Sequence, residues 1–84
     1  MPTHYSPGSI PHAIHKLLKD HHAELTYSKL LPGDMTWKYK TKYGALGTIL
    51  RKGTHSALMC DGLPTRTFVR GQSHMLLAAI KATL

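Results

Sequence analysis

The fold of this chain is decided by one stretch of alternating residues, Thr36-Trp37-Lys38-Tyr39-Lys40-Thr41-Lys42-Tyr43. Successive side chains of a β-strand point to opposite faces of a sheet, so the alternation predicts a strand with an aromatic face and a lysine face. The chain has only one Trp, one Phe and four Tyr, and a small core needs such large side chains. We therefore expect Trp37, Tyr39, Thr41 and Tyr43 to point inward and the three lysines to meet solvent.

Turn signals on both sides of this stretch predict further strands. They are Pro32-Gly33-Asp34, the glycines Gly44 and Gly47, Lys52-Gly53-Thr54, and Asp61-Gly62, the last a strong hairpin dipeptide. Between and after them, strands are predicted over residues 48–51, 57–60 and 65–70. Residues 25–31 leave two alternatives open, since they can prolong a preceding helix or form a strand of their own.

Both ends of the chain are predicted to be helical. A first helix is expected over residues 10–24, with Ser9 as its N-cap, from the spacing of the apolar residues Ile10, Ile14, Leu17, Leu18 and Leu25. Its other face carries His12, His15, Lys16, Lys19 and His22. A second helix is expected over residues 74–83, capped by Ser73, with Met75, Leu76, Ala79 and Ile80 inward.

These elements predict a single small domain over residues 1–84, in which residues 1–8 form a flexible arm. The predicted fold class is α+β, with a three- to four-stranded antiparallel sheet and the N-terminal and C-terminal helices packed on one face. The predicted core consists of Ile14, Leu17, Leu18, Trp37, Tyr39, Leu50, Leu58, Phe68, Leu76 and Ile80.

Composition limits the compartment and excludes several kinds of site. No window approaches the roughly 18 consecutive apolar residues that a membrane span needs, and no signal peptide is visible, so we expect a cytoplasmic protein without membrane association. The single cysteine, Cys60, excludes an internal disulfide and fits a reducing compartment. His12 and His15 are spaced to chelate, but no recognisable third ligand accompanies them, so neither a metal nor another cofactor is expected.

The charge balance points to a polyanionic partner. Eleven Lys and Arg stand against four Asp and Glu, which gives a net charge of +7 with the histidines neutral. A small domain this basic most often binds nucleic acid. Lys38, Lys40 and Lys42 would lie about 6.5–7 Å apart along one strand face, a spacing suited to phosphate contacts. The alternative is an ordinary solvated strand face.

A second cationic segment, Arg51-Lys52-Gly53-Thr54-His55, places a histidine at a turn. An imidazole can take the proton of an RNA 2′-hydroxyl or protonate the leaving oxygen, and neighbouring cations can stabilise the charge of the phosphorane. His55 is therefore a candidate catalytic residue. The alternative is that it is simply a polar turn residue.

The order of elements after residue 45 resembles the HicA-type toxins, small mRNA interferases with a double-stranded-RNA-binding-domain-like fold. The resemblance covers residues 45–84 and depends on Gly53-Thr54-His55, on the strands that follow, and on the closing helix Met75-Leu76-Leu77-Ala78-Ala79-Ile80-Lys81-Ala82-Thr83-Leu84. Residues 10–19 can match the family's leading helix, although the lysine stretch lies between that helix and the histidine. The resemblance implies that His55 is catalytic with Gly53 and Thr54 as its motif companions, that the substrate is RNA, and that an antitoxin is a partner.

The sequence thus favours a small basic RNA-binding protein, with metal-independent endoribonuclease activity as an extension of that function. The residues expected to contact nucleic acid are Lys38, Lys40, Lys42, Arg51, Lys52, Gly53, Thr54, Arg66 and Arg70. Two alternatives stay open. One is a non-enzymatic DNA-binding module that lays its strands in the major groove. The other is an accessory protein of a phage or mobile element that binds and inhibits a host protein through the histidine-rich helix face.

Overall fold

Five antiparallel strands and two helices make up the fold of residues 10–84, the part of the chain that this computed structural model describes. The elements are α1 (Ile10–Asp20), β1 (Glu24–Leu31), β2 (Asp34–Lys40), β3 (Leu46–Lys52), β4 (His55–Cys60), β5 (Arg66–Phe68) and α2 (Ser73–Thr83). The strands lie in the sheet in chain order. The predicted α+β class is confirmed, and the sheet gains a fifth strand because residues 24–31 form β1. The predicted arm, residues 1–8, and the predicted N-cap, Ser9, lie outside the described residues.

The pairing register separates the two faces of the sheet. Directly paired residues lie on the same face, so Trp37, its partner Ile49 and the next partner Leu58 share one face. All three are buried. Tyr39 is buried on the same face against Gly47, where a Cβ atom would lie under 3.0 Å from the Tyr39 ring. The aromatic side of the alternating stretch is therefore the core face.

The other side of the sheet carries a second set of paired rows, and we call it the open face. Its rows are Glu24, Lys40 and Leu46; Tyr27, Lys38, Thr48 and Met59; Lys29, Thr36, Leu50, Ala57 and Thr67; and Leu31, Asp34, Lys52 and His55. Both helices contribute their buried residues to the core on the opposite side. Within residues 10–84, no helix covers the open face.

The helices meet the core face and each other. The core consists of Ile14, Leu18, Trp37, Tyr39, Ile49, Leu58, Phe68, Leu76, Ala79 and Ile80. Ile14 and Leu18 of α1 are four residues apart, and Ala79 and Ile80 of α2 follow Leu76 by three and four residues, which places each set on one side of its helix. Each helix has 11 residues, and neither helix of the described part is long and apolar enough to cross a membrane.

Two side chains that were predicted to point inward are not buried in the core. Leu50 is half-buried on the open face, because its neighbour Ile49 pairs with Trp37 and takes the inward place. A phase error of one residue exchanges the faces of a strand, which is why the sequence assigned the wrong neighbour. Met75, predicted to point inward, is 42% exposed. Leu17 packs at the edge of the core.

Helix α1 ends earlier than predicted because a local hydrogen-bond motif stops it after Asp20. The Ala23 N–H donates to the Leu18 carbonyl at 2.9 Å, and the His22 N–H donates to the Lys19 carbonyl at 3.1 Å. His22 has a φ of 59°, the left-handed conformation that this C-terminal motif requires. The chain is thereby turned away from the helix axis, and the following residues begin β1.

The last strand is shorter than predicted, and the last helix begins one residue earlier than predicted. β5 pairs with β4 over Arg66–Phe68 only, so Arg70 lies in the loop before α2. Gln72 occupies the N-cap position in place of Ser73, which is the first residue of the helix. The amide oxygen of Gln72 accepts the Val69 N–H at 2.9 Å. This contact closes a turn that takes the chain out of the sheet before it can continue as a strand.

We expect the protein to lose stability as the pH falls below about 6.5, because of a hydrogen bond between α1 and β2. The indole N–H of Trp37 donates to Nε2 of His15 at 2.7 Å, so this nitrogen must be unprotonated. Burial, and to a smaller extent the charge of His12, lowers the pKa of His15 from its ordinary value of 6.5. The unfolded chain then binds a proton at a higher pH than the folded one, and the free energy of unfolding declines from about pH 6.5 toward the folded-state pKa.

Urea unfolding of three proteins between pH 7.5 and 5 measures this effect. His15→Gln keeps a hydrogen-bond acceptor that does not titrate in this range, so its free energy of unfolding should vary less with pH than that of the wild type. His74→Gln, at an exposed position of α2, should follow the wild-type profile. If His15→Gln retains the full pH dependence, another group is responsible for it.

Candidate nucleic-acid interface

Two of the three lysines in the alternating stretch project from the open face. Lys38 and Lys40 alternate on β2 with the buried Trp37 and Tyr39, and both are exposed. The Nζ atom of Lys38 lies 5.5 Å from the ring centroid of Tyr27 on the neighbouring strand, where the face of an aromatic ring attracts a cation. The predicted orientation toward solvent is confirmed for these two lysines.

Lys42 lies beyond the end of β2, in the turn that leads to β3. The buried Thr41 organises this turn, because its hydroxyl oxygen accepts the N–H groups of Tyr43 and Ala45 at 3.2 and 3.1 Å. The alternation of the strand therefore stops at Thr41. Tyr43 is 77% exposed, contrary to the prediction that it points inward, and its ring centroid lies 5.2 Å from the Nζ atom of Lys42.

The middle of the open face carries no charged side chain. Thr48, Leu50, Ala57 and Met59 on β3 and β4 are each half-buried by their neighbours in the sheet. We call these four residues the apolar centre. The charged side chains of the described open face lie around it, on β1, on β2 and beside the β3–β4 turn. The face thus combines a surface for apolar contacts with cations at its border.

His55 begins β4 on the open face, paired with Lys52 across the β3–β4 hairpin. Its side chain is exposed, and its Nδ1 lies 3.3 Å from the Thr54 hydroxyl. Asp34 completes the row, with Oδ2 2.7 Å from the Nζ of Lys29 and Oδ1 3.8 Å from the Nζ of Lys52. The hydrogen bond from Lys29 holds the pKa of Asp34 below its ordinary value, so this group is a carboxylate at neutral pH. The imidazole therefore stands in a row with an ammonium group and a carboxylate.

Four predicted residues meet on the other side of the same turn. Arg51, Gly53, Thr54 and Arg70 line a cavity of about 260 Å³ near the start of α2. Arg51 precedes Lys52 on β3, and successive residues of a strand point to opposite faces, so their side chains separate. The cationic segment that looks continuous in the sequence is thus divided between the core-face side and the open face.

Arg66 lies apart from both groups. β5 places it on the core face in the row of Leu58, and its guanidinium carbon lies 5.4 Å from the ring centroid of Phe68. Together with Leu63 and Pro64 it borders an apolar cavity of about 180 Å³. Arg66 packs against apolar side chains at this edge, and its contact with nucleic acid stays a prediction.

Sequence reasoning missed Tyr27 and Lys29, which join the open face through β1. Residues 25–31 show no regular alternation of apolar and polar positions, because most of β1 is exposed at the edge of the sheet. One usable signal was present. The short turn at Pro32-Gly33 directly precedes a clear strand, and such a turn implies a hairpin that pairs Lys29 with Thr36.

Within residues 10–84, no three His, Cys, Asp or Glu side chains are placed to hold a metal ion together. His15 serves instead as the hydrogen-bond acceptor of Trp37.

Comparisons of the chain with models of protein families, with curated proteins and with solved structures found no match.

Proposed function

We propose that this chain is a small nucleic-acid-binding protein that holds RNA on its open face. The observation that carries the proposal is the placement of Lys38, Lys40, Lys52 and His55 on the side of the sheet that no described helix covers. Lys52 lies 3.8 Å from Asp34, and Lys40 is paired across the strands with Glu24. Lys29 also belongs to the face, so its lysines outnumber its two carboxylates and leave a net positive charge for a ligand. A polyanion is the ligand that such a face attracts, because each phosphate that it neutralises releases a counterion.

Single-stranded RNA fits the shape of the open face. A sheet offers a flat surface on which unpaired bases can lie, while cations at the border follow the backbone. Leu50, Ala57 and Met59 in the apolar centre supply contacts for the bases. The hydroxyl groups of Thr36 and Thr48 can bond to the ribose 2′-hydroxyl, the group by which proteins distinguish RNA from DNA.

The resemblance to the HicA-type toxins supports the same ligand. The order of one helix, three strands and one helix in that family has counterparts in α1, β3 to β5 and α2, with the β1–β2 hairpin as an additional element. On the same basis we propose that the protein acts in the cytoplasm and that an antitoxin-like protein is a partner.

Replacing Lys38, Lys40 and Lys52 together by glutamine should weaken RNA binding and reduce its dependence on salt. Each phosphate neutralised on a single strand releases about 0.7 counterion, so the slope of log K against log salt concentration should shrink by about two units. These side chains are exposed, so the melting temperature should change little. Fluorescence anisotropy of a labelled single-stranded RNA at several KCl concentrations measures the slope.

The matched control removes the same charge from the helical layer by replacing Lys16, Lys19 and Lys81 with glutamine. These lysines are exposed on α1 and α2, across the core from the open face, and their loss should change the slope much less. Equal slopes for the two variants would mean that net charge, rather than the open face, binds RNA. Tighter binding of duplex DNA than of RNA would favour the DNA-binding alternative, and binding of neither would favour a host protein as the partner.

Metal-independent RNA cleavage is a second candidate function, favoured by the setting of His55. Its imidazole is exposed, lies at hydrogen-bond distance from the Thr54 hydroxyl, and stands beside Lys52 across the hairpin. In such a reaction the imidazole takes the proton of the 2′-hydroxyl, and the 2′-oxygen attacks the adjacent phosphorus. The P–O bond to the 5′-oxygen then breaks, this oxygen takes back the proton from the imidazolium, and a 2′,3′-cyclic phosphate remains. The ammonium group of Lys52 would stabilise the charge on the phosphorane oxygens. No step requires a metal, so the activity should persist in EDTA.

A further inference from the structure

A cavity beside the β3–β4 turn is lined by two of the three arginines of the chain. It has a volume of about 260 Å³ and lies between that turn and the loop that leads into α2. Arg51 lines it from the core face of β3, and Arg70 lines it from the loop. The hydroxyl-bearing residues Thr54, Ser56 and Ser73 also line it. The cavity is therefore lined by two arginines and by three hydroxyl-bearing residues from separate elements.

Neither arginine is neutralised by a carboxylate of the chain. The chain has four acidic residues, and all of them lie within the described part. Asp20 and Asp34 form ion pairs with lysines. Asp61 accepts the Leu46 N–H at 3.1 Å at the other end of β3, and Glu24 is paired with the last residue of β2. Two guanidinium groups that border one cavity repel each other unless an anion lies between them.

We propose that this cavity binds a phosphoryl group. Guanidinium groups present paired N–H donors that match two oxygens of a phosphate, and hydroxyl groups can donate to the remaining oxygens. The inference rests on the proposed function, because it takes the phosphoryl group to be that of RNA. An internal phosphodiester and a terminal phosphomonoester offer the same chemistry to the cavity.

The cavity also adjoins the candidate catalytic histidine. Thr54 lines the cavity, and its hydroxyl lies 3.3 Å from Nδ1 of His55, which belongs to the open face. At Gly53 the turn is open, since no atom lies within 4 Å of the place where a Cβ would stand. An RNA strand that leaves the open face across this turn places one phosphate in the cavity and a neighbouring phosphate beside His55 and Lys52.

Titration with inorganic phosphate tests the cavity by itself. At constant ionic strength, phosphate should shift the amide resonances of Gly53, Thr54 and Ser73 in ¹⁵N-labelled protein, whereas chloride should not. Arg70→Gln, at an exposed loop position, should weaken this binding about tenfold or more, as the loss of a charge-assisted hydrogen bond does. Lys40→Gln on the open face should leave it unchanged. Unshifted cavity amides, or equal phosphate binding by Arg70→Gln and the wild type, would overturn the proposal.

Short RNAs with a 5′-phosphate or a 5′-hydroxyl distinguish the two sources of the phosphoryl group. If Arg70→Gln weakens binding of both RNAs equally, an internal phosphodiester enters the cavity; if it weakens only the phosphorylated RNA, the terminal group enters. If it weakens neither while Lys40→Gln weakens both, the open face binds RNA and the cavity takes no part, which overturns this inference alone. Phosphate shifts that depend on Arg70, in a protein that binds no RNA, would keep the phosphate site and overturn the proposed function.

Discussion

Trp37→Ala is expected to lower the free energy of unfolding by about 3–5 kcal/mol, the cost of removing a large aromatic side chain from a packed core. Trp37 is 0% exposed and lies in the core-face row with Ile49 and Leu58. Its indole N–H also bonds to His15 of α1. One side chain thus connects β2 to the first helix, and its loss leaves a cavity that neither element can close alone.

Urea unfolding, monitored by circular dichroism, measures the loss in the free energy of unfolding. A chain of 84 residues has a total stability of about 4–13 kcal/mol, so the alanine variant should lose a large part of it. Trp37→Phe keeps an aromatic ring and removes the hydrogen bond, so it should stay folded and lose less. If both variants unfold at the wild-type urea concentration, Trp37 is not the centre of the core.

The alternating stretch was the part of the fold that the sequence predicted best. Trp37, Tyr39 and Thr41 are buried, and Lys38 and Lys40 are exposed, as the period of two requires. The prediction failed where the backbone turns. Thr41 binds the N–H groups of the next turn through its side chain, and no periodicity in the sequence reports such a contact.

Elements whose stability depends on a neighbour were harder to predict. β1 is an edge strand whose side chains are mostly exposed, so its sequence lacks the apolar alternation of a half-buried strand. It forms because β2 supplies the partner groups along its length. β5 is short because the Gln72 side chain accepts the Val69 N–H and the chain turns away from β4.

The candidate site was predicted as a set of residues but not as an arrangement. Arg51 and Lys52 are adjacent in the sequence and read as one cationic cluster, yet the period of the strand sends them to opposite faces. That division follows from the sequence once the strand is placed. The shared cavity of Arg51 and Arg70 does not follow from the sequence, because it depends on where the loop before α2 lies against the β3–β4 turn.

His55→Ala is expected to reduce RNA cleavage by about 10²–10⁴-fold, the usual contribution of a general acid or base. The side chain is exposed and has its hydrogen-bond contact with Thr54 at the tip of a turn. Its removal should therefore leave the melting temperature and the affinity for RNA nearly unchanged. The measurement is the rate of cleavage of an mRNA substrate in EDTA, with wild type and variant at equal concentration.

The controls separate a proton-transferring imidazole from one that only binds. His74→Ala, exposed on α2, should cleave at the wild-type rate, because it lies in the helical layer. Lys52→Gln should reduce the rate while His55 stays in place, since the phosphorane then loses the nearest positive charge. A wild-type chain that binds RNA on the open face without cleaving it in EDTA would contradict the catalytic role. In that case His55→Ala should change only the affinity, because an imidazole beside a lysine at the border of the face is then a contact of the bound strand.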